Sequence, residues 1–226
     1  MTRMSDGRYA PAGSLIGMVQ RGRGLGARMV AEDPRGTAEV VGACVRWDWR
    51  WDAADQRAVY LARLVRDAGL RDPEVPAEAA EAGGRRHEEA GAPEGDVEAL
   101  VGRLEREWVE RRWCGPVRTA RALAGFGSGA RGAVSLLRRF WLWTPHSYER
   151  VGYLEALAAI DPAGLDGIYA ECLWDCEEDA RLLAVERAPD GAGVRARLAY
   201  LRDDGLEGER VRAAAADRLA ALTRVG

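Results

Sequence analysis

GERVRAAAADRLAAL, residues 208–222, has an acidic start, a Val-Arg pair and then small residues at the spacing of helix contacts. Related segments precede it. VRTARALAGF begins at Val117, ERVGYLEALAAI at Glu149 and ARLLAVERAP at Ala180, each with arginine as its second residue. With Arg118, Arg150, Arg181 and Arg212 as markers, the intervals are 32, 31 and 31 residues. A period near 31 residues suits stacked helix pairs, because each pair has an apolar face that only its neighbour can cover. The sequence between the markers supplies the partner helices. Asp96 reads as a cap for a helix with Val97, Leu100, Val101, Leu104, Trp108 and Val109 on one stripe. Ala133 to Trp143 is apolar and stops at Thr144-Pro145, while Asp161-Pro162 reads as a cap followed by proline at the first helical position. Leu165, Ile168, Tyr169, Cys172, Leu173 and Cys176 continue one helical face. The predicted fold is all-α, with residues 97–226 forming a short α-solenoid of stacked antiparallel helix pairs.

Working towards the N-terminus, residues 71–96 hold three prolines, four glycines, many acids and almost no large apolar side chains. Such a stretch cannot offset its own ordering entropy, so it is predicted to be a flexible acidic linker or insertion. Residues 1–70 read as a separate helical unit of three helices. Ser14 caps the first, which runs to about Ala31; Thr37 to Trp47 carries Val40, Val41, Cys44 and Val45 at helical spacing; Ala53 to Ala68 turns Val59, Tyr60, Leu61 and Leu64 inward and ends at Gly69.

The segment from Gly208 resembles the second helix of a HEAT repeat, and the likeness extends over about Val117 to Leu222, although the two middle copies lack the Val-Arg pair. The order RGRGLG (Arg21–Gly26), Asp33-Pro34, RWD (Arg50–Asp52) and YLARL (Tyr60–Leu64) is similar to actinobacterial HEAT-repeat proteins of unassigned function. The resemblance implies a HEAT-like solenoid and no particular reaction. The acidic insertion after Leu70 departs from that pattern and leaves open whether the two halves form one continuous array.

All 33 basic residues are arginine and asparagine is absent, which fits a genome avoiding A-rich codons, so abundant arginine is not by itself a sign of phosphate binding. The net charge of −3 is unevenly distributed: about +3 over residues 1–70, −6 over 71–98, +6 over 99–150 and −6 over 151–226. The acidic segments are expected to neutralise the central arginines. With no long apolar run and no signal-like start, the chain is expected to be cytoplasmic, with no membrane partner.

Candidate chemistry is sparse. Histidine occurs only at His87, in the expected linker, and at His146, so any Ser-His-Asp triad, His-rich metal site or Cys-His dyad must use one of these. Cys172 and Cys176 stand at i, i+4, where two thiolates can grip one metal, but both lie on the apolar stripe and read as core. No metal or cofactor is expected. GRGLG (Gly22–Gly26) lacks the spacing of a dinucleotide or P-loop cradle; it reads as a helix break with Arg21, Arg23 and Arg28 facing solvent, where an anionic group could bind.

Seven of the eight tryptophans form two clusters. Trp47, Trp49 and Trp51 alternate with Asp48, Arg50 and Asp52, so on a helix they cannot all face inward, and an exposed Trp49 or Trp51 beside Asp52 would meet a partner. Around residues 108–146, Trp108, Trp113, Trp141 and Trp143 interleave with arginines including Arg138 and Arg139, a pattern that suits nucleic acid as well as ordinary helix packing. The leading expectation is a non-enzymatic binding or scaffold module for a protein or peptide partner. The alternative is a HEAT-like DNA-binding protein or alkylpurine DNA glycosylase using the basic, Trp-rich centre.

Overall fold

The computed structural model describes residues 9–47, 56–70 and 94–225. Among them are twelve α-helices and no strand. Most of the expected acidic linker, the expected helix start at Ala53, and Trp49, Trp51 and Asp52 lie outside the described residues. No helix among the described residues is long and apolar enough to cross a membrane.

Four helices form the N-terminal unit: α1 (Leu15–Gln20), α2 (Gly24–Glu32), α3 (Ala38–Arg46) and α4 (Arg57–Asp67). Ser14 caps α1 through its Oγ, which accepts the Gly17 N–H at 3.2 Å. The expected single helix from Ser14 to Ala31 is divided, because Gly22 takes φ +66° and turns the chain between α1 and α2. The expected three-helix unit therefore has four helices.

The remaining helices come in pairs. They are α5 (Val97–Val109) with α6 (Pro116–Ala124), α7 (Val134–Trp143) with α8 (Arg150–Ile160), α9 (Asp166–Cys172) with α10 (Glu178–Arg187), and α11 (Ala192–Asp203) with α12 (Glu209–Val225). Each marker arginine falls in the first turn of an even-numbered helix. Asp96 caps α5, its Oδ1 accepting the Ala99 N–H at 2.9 Å. Pro116 opens α6 behind Gly115 at φ +108°, and Pro145 prevents α7 from continuing.

Packing follows the pairs and then the row of even helices, with α6 against α8, α8 against α10 and α10 against α12. Their shared core includes Leu123, Leu137, Phe140, Leu154, Leu157, Ile160, Leu198 and Val211. Each large apolar side chain buried there contributes roughly 1.5–3 kcal/mol. A second core, of Val19, Val30, Val41, Tyr60, Leu61 and Leu64, belongs to the N-terminal unit and takes in Cys176 from the turn after α9. The N-terminal unit packs along the edge where α8, α10 and α12 begin.

Three local expectations fail. Val109 is 79% exposed at the end of α5 rather than on its apolar stripe. Asp161-Pro162 does not start a helix; Asp161 ends α8 and α9 begins at Asp166. Cys176 does not share a helical face with Cys172, because α9 stops at Cys172 and the chain then turns so that the Cys176 N–H reaches Gly22 O at 3.0 Å.

Candidate functional site

Where the N-terminal unit meets helices α8–α12, arginines are buried rather than displayed. Arg150 grips Asp175 through two hydrogen bonds, Nε to Oδ2 at 3.0 Å and Nη2 to Oδ1 at 2.8 Å, and donates to Arg21 O at 2.7 Å and Gly22 O at 3.1 Å. Burial alone would lower its pKa, but Asp175 and Glu177 hold it well above the ordinary value, so the guanidinium stays charged. On the next even helix, α10, Arg181 donates to the carbonyls of Asp175 and Cys176 and pairs with Glu207 at 2.7 Å. Each arginine thus joins its own helix to the loop before the next even helix. From the N-terminal side, Arg63 pairs with Asp204 at 2.8 Å and Glu207 at 3.2 Å, and Arg23 pairs with Glu171 at 2.7 Å. Burial pushes Asp204 up, but hydrogen bonds from Arg66 and the Leu206 N–H, together with the charges of Arg63 and Arg66, outweigh it and hold the carboxyl below its usual range.

The expectation that Arg21 and Arg23 face solvent is therefore wrong, since they are 1% and 4% exposed. Arg21 donates to the carbonyls of Ala10, Gly17 and Trp143, while Arg23 also lies over the Trp141 ring at 4.9 Å. Both heads are engaged by protein groups, so GRGLG is a docking turn and offers no anion site. Arg28 is exposed beside Glu32. Of the C-terminal acids, Glu171, Asp204 and Glu207 pair with N-terminal arginines, while Asp175 pairs with Arg150 at the end of the central block, so the expectation that they would cover that block is met only there.

In that central block the aromatic side chains are mostly core. Trp113 is 3% exposed, and the rings of Trp108, Trp113, Phe140 and Trp143 meet edge to face at centroid distances of 5.4 to 6.0 Å. Arg111 covers Trp108 and Trp143 at 4.8 and 5.7 Å. Of the expected binding residues here, Trp113 is buried, Trp143 and Arg138 are half-buried, and only Arg139 is exposed. Arg138 leans on Ala163 O at 3.2 Å.

At one corner of this block the structure assembles side chains that lie far apart in sequence. Exposed Cys114 has its Sγ 3.1 Å from His146 Nε2, and Tyr148 Oη is 3.3 Å from His146 Nδ1. Glu149 next to them is buried and accepts from the Tyr153 hydroxyl at 3.3 Å and from the Gly115 backbone N–H. Burial pushes its carboxyl up to about 7, against the lowering influence of His146. The folded state therefore holds this proton more tightly than the unfolded chain, and its stabilising effect is present below about pH 4.5 and lost as pH rises through about 7. We expect Glu149→Gln, which mimics the protonated acid, to gain about 3 kcal/mol on wild type between pH 4.5 and pH 8. Urea unfolding of both proteins across that range checks this. A constant difference would mean that Glu149 does not titrate in this way.

A second feature not anticipated from sequence is a crevice between α2, α4, α11 and the turn after α9. Its floor includes Ala27, Val30 and Leu64, and its rim is a stack in which Arg197 lies 3.8 Å from the Trp174 centroid and 4.0 Å from that of Tyr200. Burial lowers the Arg197 guanidinium to about 10, and burial with hydrogen bonding to Asp67 raises Tyr200 to about 12. Cys172 and Cys176 are both 1% exposed, and among the described residues no three His, Cys, Asp or Glu side chains converge on a metal position. No protein-family model, curated protein or solved structure matches this chain.

Proposed function

We propose that this protein is a non-enzymatic binding module, a short HEAT-like solenoid that takes a protein or peptide segment in the crevice between its N-terminal helices and its last repeats. The observation carrying this reading is the crevice itself, a narrow cavity of about 20 Å³ whose apolar floor is bordered by a preformed Trp174–Arg197–Tyr200 stack, a foothold for one side chain of such a segment. Aromatic and arginine side chains held rigid beside an apolar pocket lose little entropy on binding and dominate interface energies. The row of even helices and the arginine of one repeat gripping the loop of the next support the solenoid arrangement.

Peptides selected from a displayed library against the full chain should bind with micromolar affinity and lose at least tenfold on Ala31→Trp, which fills the crevice from an exposed helical position. An unchanged affinity in that variant, with its thermal midpoint preserved, would reject the crevice as the docking place.

Nucleic-acid binding is the second reading, favoured by the exposure of Arg118, Arg121, Arg131 and Arg139 and by the engagement of the C-terminal acids elsewhere. It is the weaker one because the neighbouring tryptophans are packed into the core and covered by Arg111, leaving little ring surface for stacking bases. Random DNA should therefore bind more weakly than about 10 micromolar at physiological salt. Tight, steeply salt-dependent gel shifts abolished by Arg138→Glu/Arg139→Glu would promote this reading over the first.

A further inference from the structure

Cys114, His146 and Tyr148 form a line of nucleophile, base and orienting group: Sγ to Nε2 is 3.1 Å and Nδ1 to the tyrosine hydroxyl is 3.3 Å. This arrangement activates a thiol. We propose that Cys114 is a nucleophilic thiol that forms mixed disulfides with small anionic disulfides of the glutathione type, with His146 as its base.

The surrounding backbone holds the thiol out and the imidazole in place. Between α5 and α6 the chain passes through Arg111 at φ +52°, the one non-glycine left-handed residue among those described, and Gly115 at φ +108°. Left-handed backbone at a non-glycine residue is unfavourable and is retained where the surroundings enforce it. The neighbours do so here, because Trp113 is anchored in the core while Cys114, the next residue, is exposed. The base is 3% exposed, and the Thr144 hydroxyl fixes its backbone by accepting the His146 N–H at 3.2 Å. With Nδ1–H assigned as donor to the Tyr148 oxygen, Nε2 is the acceptor facing the thiol.

The same loop argues for disulfide exchange over acyl transfer. A tetrahedral oxyanion needs backbone donors beside the nucleophile, but the Gly115 N–H is committed to Glu149 and Pro116 has none. Exchange requires only a thiolate and access. His146 Nε2 takes the thiol proton and Sγ attacks one sulfur of the disulfide; a new S–S bond forms as the old one breaks. The departing thiolate leaves with the electron pair and is protonated by the imidazolium or by water. Cys114 is oxidised and the released half of the reagent is reduced. Cys44, Cys172 and Cys176 are each 1% exposed, so no internal thiol is placed to resolve the adduct, which lasts until an external thiol removes it. The preference for an anionic reagent follows from Arg118, which is exposed and whose Nη2 would stand 3.4 Å from a Cβ at Gly115.

The test uses the full chain at pH 7 with dithiobis-nitrobenzoate, an anionic disulfide, and cystamine, a cationic one. We expect one thiol per native chain to react with the anionic reagent about tenfold faster than free glutathione does, since an ordinary thiol is only a few per cent ionised at that pH. All four cysteines should react in denaturant, and Cys114→Ser should remove the fast native equivalent. With each rate divided by that of free glutathione with the same reagent, cystamine should react more slowly, and Arg118→Glu should reverse that order. Glutathione disulfide should leave one adduct, mapped to Cys114 and reversed by dithiothreitol. Tyr148→Phe should slow the reaction severalfold and His146→Asn at least tenfold. A wild-type rate no greater than that of glutathione, or a fast thiol mapping elsewhere, overturns the proposal however the variants fold.

Discussion

Replacing Arg150 by methionine should cost about 4 kcal/mol and lower the thermal midpoint by roughly 8–16 °C for a chain of this size. The side chain is 1% exposed and its partner Asp175 is 2% exposed, so the substitution leaves a carboxylate in the interior without its counter-ion. Breaking one side of a buried pair costs about 3–5 kcal/mol for that reason. The loss of donors to Arg21 O and Gly22 O adds to it. Arg118 stands in the first turn of the preceding even helix, α6, but is exposed, so Arg118→Met should stay within about 0.5 kcal/mol. The double variant Arg150→Met/Asp175→Asn should lose less than the sum of its two single changes, because removing both charges leaves neither stranded. Urea unfolding of the four proteins measures this. A loss under about 1 kcal/mol for Arg150→Met would mean that the arginine is not what joins α8 to the GRGLG turn.

The contrast between Arg118 and Arg150 also marks how far sequence reading reaches. Helix identity, the pairing of helices and several ends were legible because they depend on local chemistry: a serine or aspartate at a cap, a proline that cannot continue a helix, an apolar stripe at 3.6-residue spacing. The four markers could be aligned, yet their different surroundings could not be read, because burial of Arg150 and Arg181 depends on the N-terminal unit lying across that edge. Arg23 was misread for the same reason. Its carboxylate, Glu171, is 148 residues away, and nothing in RGRGLG announces it. The end of α9 was equally hidden, since the Cys176 N–H leaves the helical pattern to reach a carbonyl in the other half of the chain.

The Cys114–His146 pair was partly legible, through register rather than motif. Each residue lies four positions before its marker arginine, so the packing of α6 against α8 brings equivalent positions face to face. Glu177 holds the same position one repeat later. No comparable signal existed for Trp174, Arg197 and Tyr200, because the spacing on α11 predicts only that Arg197 and Tyr200 are neighbours.

Gly22→Ala should destabilise the fold by about 4 kcal/mol, from two sources that a second glycine separates. At φ +66° an L side chain is disfavoured by roughly 1–2 kcal/mol, and a Cβ there would stand 2.3 Å from Cys176 Sγ and 2.9 Å from Arg57 Cγ. Cys176 is held by its backbone bond to Gly22 O and Arg57 by its bond to Gln20 O at 2.8 Å, so neither can retreat without opening the seam, and overpacking adds roughly 1–3 kcal/mol. Gly69 has nearly the same backbone angle, +63°, with no atom within 4 Å of its would-be Cβ. Gly69→Ala should therefore show the conformational penalty alone, about 1 kcal/mol. The difference between the two variants isolates the contact between the N-terminal unit and the repeats. If it reflects loss of that contact, Gly22→Ala should also expose residues 9–47 to trypsin before the repeats unfold, because the seam, and not either core, is what the added methyl group disrupts. Equal losses at the two glycines would show that the turn tolerates a side chain, and the close approach of Gly22 to Cys176 would then not be what holds the two halves together.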